Sequence, residues 1–261
     1  MCTVVVSLEP GERVPLRLLG VRDELVSRPW RAPARNWPGS PLIGGIDELA
    51  GGTWLAVQPA VPRVACLLNG RGPLADPARR RSRGELPLRA AAEGPGLLTR
   101  LAADRDALAA YDPFILICAG LTSVTALTWT GVYLPYGLAV RTLAPGTHLF
   151  TNAGHAYPAE SGDPADEPKA AHFADKFAAA RPPADPALPV ARAWGDWLTL
   201  AAGDGLDPGS ASAILVRREL PDGKLYGTTS MTLVSLAADD IRYDFQPEPG
   251  NADAWYPVPV H

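Results

Sequence analysis

Apolar residues recur along this chain in two patterns. The first is a short, nearly unbroken apolar run bounded by turn residues, which marks a buried strand. Thr3-Val4-Val5-Val6-Ser7-Leu8 is such a run and stops at Glu9-Pro10-Gly11-Glu12, a turn signal. Leu16 to Val21 follows, so the chain is expected to open with a hairpin. A Pro- and Trp-rich loop is expected over residues 27–41, then a Gly51-Gly52 turn feeding a strand at Thr53 to Val57. Further strands are predicted at Val64 to Asn69, Phe114 to Ala119 and Ser123 to Thr130, the last two paired across a Gly-Leu-Thr turn. Leu138 to Leu143 and His148 to Thr151 read as another hairpin around Ala144-Pro145-Gly146. Near the end, Ser212 to Val216, Gly227 to Leu236 and Ile241 to Phe245 are strand-like.

The second pattern has helical spacing. It covers residues 84–110, with Leu97, Leu98, Leu101 and Leu108 in register and a break at Gly94-Pro95-Gly96, so two helices are expected. Asp175 to Arg181 and Arg192 to Leu200 also read as helical. Strands at both ends with helices between them predict a layered α+β domain; a doubly wound parallel sheet would need strict alternation. The 261 residues suit one large domain or two small ones and can bury a sizeable core.

Composition narrows the function classes. A formal net charge of −4 argues against a nucleic-acid partner, and apolar stretches broken by Pro, Gly or Arg argue against a membrane span. Three cysteines, Cys2, Cys66 and Cys118, cannot build a disulfide framework, and no signal-peptide pattern precedes them. A cytoplasmic location is the expectation. Only three of the basic residues are lysines: Lys169, Lys176 and Lys224. The run Arg79-Arg80-Arg81-Ser82-Arg83 reads as a solvated loop before a helix.

Phosphate-loop, dinucleotide-binding, zinc-protease and serine-hydrolase motifs are absent. His148 and His155 lie seven apart across an expected turn, but nothing completes a set of metal ligands, and no metal or cofactor is expected. Chemistry concentrates instead at Cys2. Removal of Met1 would leave a thiol and an α-amine on one residue, and an amine of pKa ~7.7–8.0 can take the thiol proton near neutral pH. Cys2 is equally compatible with a small residue at a frayed terminus. Arg22 and Asp23 end the second strand, where a hairpin partner returns beside the first; Arg22 would lower the thiol pKa and Asp23 would hold the amine. Ordinary solvated charges at a strand end fit as well. Asn69 and Asn152 each follow an apolar strand, as oxyanion donors or as turn residues.

Taken in order, Met1-Cys2-Thr3, Arg22-Asp23-Glu24 with Ser27-Arg28-Pro29, Gly45-Ile46-Asp47, Gly51-Gly52-Thr53-Trp54-Leu55, Leu67-Leu68-Asn69, residues 143–152 and Tyr226-Gly227-Thr228 carry a resemblance. The chain resembles the NRDE-type family, also called the transport and Golgi organisation 2 family. That resemblance implies an N-terminal-nucleophile hydrolase-like αββα sandwich, two antiparallel sheets between helical layers. It also implies kinship with cysteine amidases that use an N-terminal Cys, an Arg and an Asp nearby, and Asn side chains at the oxyanion hole. By position these are Cys2, Arg22, Asp23, Asn69 and Asn152, with Thr53 and Trp54 as substrate-binding residues. Two departures stand out: Val21 replaces the family's Asn, and Thr229 replaces the Arg usual after Tyr-Gly-Thr. The implied function is a cysteine amidohydrolase acting on a small-molecule amide or acyl compound. The alternative is a non-catalytic carrier of haem, lipid or acyl-CoA, in which Trp30, Trp37 and Trp54 could line an apolar pocket.

Overall fold

A computed structural model describes residues 3–133, 137–158 and 167–260. In chain order the strands are β1 (Thr3–Leu8), β2 (Leu16–Leu25), β3 (Trp30–Ala34), β4 (Gly44–Asp47), β5 (Leu55–Gln58), β6 (Arg63–Asn69), β7 (Phe114–Gly120) and β8 (Val124–Trp129). They continue with β9 (Leu138–Thr142), β10 (Gly146–Thr151), β11 (Gly154–Tyr157), β12 (Arg217–Glu219), β13 (Leu225–Leu236), β14 (Ile241–Gln246) and β15 (Tyr256–Pro257). The helices are α1 (Leu86–Glu93), α2 (Gly96–Ala103), α3 (Arg105–Ala109), α4 (Pro168–Ala179), α5 (Val190–Trp194) and α6 (Asp196–Ala201). The fold is mixed, with antiparallel pairing throughout the hairpins and several helices. The residues fall into two compact units.

One unit holds residues 3–28, 145–151 and those from 155 onward. Its sheet runs β11-β10-β1-β2-β13-β14-β15, with β12 paired to β13 at the side. Alternation sets Val5 of β1, Leu19 and Val21 of β2, Leu149 of β10 and Leu233 of β13 on one face. There they meet Phe173 and Phe177 of α4, Trp194 of α5 and Trp197 of α6 in one buried cluster. Burying each large side chain of this set stabilises the fold by about 1.5–3 kcal/mol. Val4, Val6 and Leu18, on the alternate positions, are fully buried as well.

The other unit holds residues 29–144 and 152–154. Its antiparallel sheet runs β5-β6-β7-β8-β9, and β3 with β4 forms a separate ribbon. Leu67 of β6, Phe114, Leu116 and Cys118 of β7, and Leu127 and Trp129 of β8 pack on Leu86, Leu97 and Leu98 of the helices. Gly52 is fixed by close approach, since a Cβ there would lie 2.4 Å from the Gly84 carbonyl carbon.

The opening hairpin and the β7–β8 pair form as expected. Several expectations change. Residues 84–110 carry three helices, α1, α2 and α3, where two are expected. Leu138 to Leu143 and His148 to Thr151 do not pair with each other: β9 pairs with β8, whereas β10 pairs with β1. Ser212 to Val216 is a run of turns and bends whose Ile214 is buried in the cluster against α4–α6. Helix 192–200 is two helices broken at Gly195, whose φ of +47° interrupts the helical backbone. The Pro- and Trp-rich loop contains a short edge strand, β3, with Pro33 inside it.

Candidate functional site

Cys2 lies outside the described residues; the description begins at Thr3, the residue that follows it in the chain. In β1, Thr3 pairs with Val21 of β2 and with Thr151 of β10. Arg22 is therefore the first residue of β2 beyond the last described pair. On its other side β2 pairs with β13, Arg22 opposite Ser230 and Asp23 opposite Thr228, with a bulge that leaves Thr229 as the extra residue.

That bulge binds both charged side chains. Arg22 Nη1 donates to Thr229 Oγ1 at 2.7 Å, and the same hydroxyl donates to the Arg22 carbonyl at 3.1 Å. Thr228 Oγ1 donates to Asp23 Oδ1 at 2.7 Å and accepts from the Val216 N–H at 2.9 Å. Arg22 is 4% exposed and Asp23 6% exposed, so the sequence's solvated-charge alternative fails for both. Adjacent strand residues point to opposite faces. Val21 faces the α4–α6 cluster, so Arg22 lies on the opposite face and Asp23 returns to the helix side.

A second polar group sits on the helix side. Lys169, in the first turn of α4, donates to Thr3 Oγ1 at 2.9 Å and is only 8% exposed. Glu167, which precedes α4, accepts from Thr151 Oγ1 at 3.1 Å. His148 Nδ1 and His155 Nε2 meet at 3.1 Å, with His155 stacked on Phe150 at 4.5 Å between ring centres. Among the described residues no group of three or more His, Cys, Asp or Glu side chains converges as metal ligands.

The remaining expected residues lie in the five-stranded unit. Asn69 ends β6 opposite Phe114, and Asn152 follows β10; both are half-buried. Thr53 is 3% exposed, and its hydroxyl donates to the Leu55 carbonyl at 2.7 Å, which closes its own turn. Trp54 is buried edge-on to Trp30 at 6.2 Å. The other two thiols are buried in the same unit. Burial pushes Cys66 up to about 12 and Cys118 up to about 11, so neither is a nucleophile at neutral pH.

The sequence model of the transport and Golgi organisation 2 family matches residues 1–182. The chain belongs to that family. No curated protein shows a significant match to this sequence. The family match spans Arg22, Asp23, Thr53, Trp54, Asn69, Asn152 and Lys169, whereas Thr228 and Thr229 lie beyond it. Thr228, Thr229 and Lys169 were not among the residues expected from sequence. A Thr-Thr pair after Tyr-Gly is visible there, but the bulge that aims it is set by strand pairing.

The Arg-rich run is exposed from Arg79 to Ser82 and half-buried at Arg83, the solvated loop before a helix that the sequence predicts. Arg80 pairs with Asp112 at 3.1 Å and Arg81 with Glu85 at 2.7 Å, while Arg83 donates to the Pro113 carbonyl at 2.7 Å. These contacts fasten the loop before α1. Among the described residues no helix is long and apolar enough to cross a membrane.

Proposed function

We propose that this protein is a cysteine N-terminal-nucleophile amidohydrolase acting on a small-molecule amide or a related acyl compound. Met1 is removed, and the Cys2 sulfur attacks the substrate carbonyl carbon while the α-amine takes the thiol proton. The amine returns that proton to the leaving nitrogen as the C–N bond breaks, leaving a thioester. Water, deprotonated by the same amine, then releases the acyl group as a carboxylate and restores the thiol. Asn69, Asn152 and a backbone N–H are the proposed oxyanion donors, and Thr53 and Trp54 the proposed substrate-side residues. The proposed architecture is a single αββα sandwich over 1–261. Its support is the sequence of β1, β6 and β7, whose unbroken apolar runs call for apolar cover on both faces while the helices of each unit cover one.

The observation that carries the reading is the β2–β13 bulge. It holds a buried Arg22 and a buried Asp23 next to the strand pair formed by Thr3, the residue bonded directly to Cys2. Charged side chains are rarely buried without a task or a partner. The test is Cys2→Ser assayed against a panel of small amides. Loss of turnover with substrate binding retained supports the assignment, and turnover at the wild-type rate overturns it.

A further inference from the structure

The five-stranded unit carries a cavity of about 370 Å³ that the proposed reaction leaves unused. That size lies within the range of small-molecule sites. Its apolar surfaces are the Trp37 indole, from the connection between β3 and β4, and Leu88 of α1. Gly51 and Gly52 add bare backbone: Gly51 has a φ of +69°, which side chains rarely adopt, and a Cβ on Gly52 would run into Gly84. The charged lining is the ion pair between Arg81 and Glu85 at 2.7 Å, with side chains 50% and 36% exposed. Tyr111 fixes that pair, since its hydroxyl donates to Glu85 Oε1 and the Arg81 guanidinium lies over its ring at 5.4 Å.

Hydrogen-bonding capacity is left over around this cavity. Trp37 Nε1 is buried without a hydrogen-bond partner, and a buried donor left unpaired is costly. Among the described residues Arg81 uses only Nη2 on Glu85, which leaves Nε and Nη1. Glu85 uses Oε1 for both Arg81 and Tyr111, which leaves Oε2. The two charges cancel. An anion would meet the Glu85 carboxylate and a cation the Arg81 guanidinium, so a neutral group that offers an acceptor and a donor side by side is favoured. A planar carboxamide is such a group. Its carbonyl accepts from Arg81 or Trp37, its N–H donates to Glu85, and an aromatic body stacks on the indole.

The geometry points to a binding site for a small, neutral carboxamide with an aromatic body, held between Trp37 and the Arg81–Glu85 pair. Trp37 Nε1 has no surface open to water in the free protein, so the indole turns as the ligand seats. This site goes beyond the proposed reaction and uses none of its residues.

The experiment uses the full chain labelled with nitrogen-15 and reads its seven tryptophan indole N–H resonances by NMR. Trp37→Phe assigns the Trp37 resonance by its loss, and through-bond assignment of the wild type identifies it if that variant does not fold. Three probes share one body: benzamide, benzoate and benzylammonium. The inference predicts that benzamide moves the Trp37 resonance downfield, with half-saturation at about 1 mM, as a fragment this small allows. Benzoate and benzylammonium should need at least about tenfold more. Arg81→Gln should raise the benzamide midpoint about fivefold. A Trp37 resonance that stays in place up to the solubility limit of benzamide overturns the inference, as does movement confined to another indole. A response to benzoate or benzylammonium at lower concentration than to benzamide overturns the neutral class, and an unchanged midpoint in a folded Arg81→Gln overturns the role of the ion pair. None of these outcomes bears on Cys2, so failure here is separable from failure of the proposed reaction.

Discussion

Two of the three thiols of this chain, Cys66 and Cys118, are buried. Cys66 and Cys118 sit on β6 and β7, and desolvation holds them at about 12 and about 11 against an ordinary 9.0. A thiol whose folded value is raised keeps its proton longer in the folded state. Its contribution is fully present below pH 9 and is lost as the pH rises toward 11–12. Stability should therefore fall above pH 9 by up to roughly 1.4 kcal/mol per pH unit for each thiol. Urea midpoints at pH 8 and 10.5 should show that fall in wild type and less of it in Cys66→Val. At the bulge, Thr229→Val removes the hydroxyl that both accepts from Arg22 and donates to its carbonyl. The expected cost is about 1–3 kcal/mol, read as a lower urea midpoint with an unchanged slope. Arg22 and Asp23 were legible in the sequence as charges ending an apolar strand. Their burial was not, because it depends on Thr228 and Thr229, which lie more than 200 residues away in the chain and are aimed by a register shift. Lys169 was visible as one of three lysines, yet nothing in its neighbourhood announces that it faces Thr3.

At the scale of elements, local signals identified strands more readily than their partners. The pattern of Leu138 to Thr151 reveals two extended segments and a Pro-Gly turn, the composition of a hairpin, but the two strands pair in different sheets. Periodicity reports which residues are buried and says nothing of which strand lies alongside. The helical region failed differently: the Gly94-Pro95-Gly96 break was legible, whereas α3 starts at an Asp104 side-chain cap accepting from Ala107 N–H at 3.0 Å, a short local signal inside one apolar spacing. Two substitutions test elements directly. Gly52→Ala forces a Cβ onto the Gly84 backbone, and overpacking of this kind costs about 1–3 kcal/mol. Asp244, fully buried on β14, pairs with Arg242 and accepts from Trp194 Nε1 at 2.6 Å, while Arg242 Nη1 also donates to the Leu188 carbonyl at 2.6 Å. Asp244→Ala leaves Arg242 buried without its carboxylate, for an expected loss of about 3–5 kcal/mol in denaturant unfolding. Replacing both charges with apolar residues should recover part of it.

For the molecule as a whole, the family match over residues 1–182 agrees with the family that the ordered motif blocks resembled, and the mixed fold with antiparallel sheets agrees with the α+β pattern of strands and helices. The departures at Val21 and Thr229 have physical counterparts. Val21 contributes to the apolar cluster against α4–α6, where an Asn would bury an amide, and Thr229 replaces a long cation with a short hydroxyl that ties down Arg22. The charge near the chain start is therefore carried by Arg22 and Lys169. The measurement that bears most directly on the proposed activity is intact mass before and after brief iodoacetamide treatment at neutral pH. An activated Cys2 predicts a protein lacking Met1 that gains one carbamidomethyl group quickly at Cys2, with Cys66 and Cys118 unmodified until the chain is unfolded. Retained Met1, or a Cys2 that reacts no faster than an ordinary free thiol, would contradict the nucleophile assignment and leave a binding protein on the same scaffold.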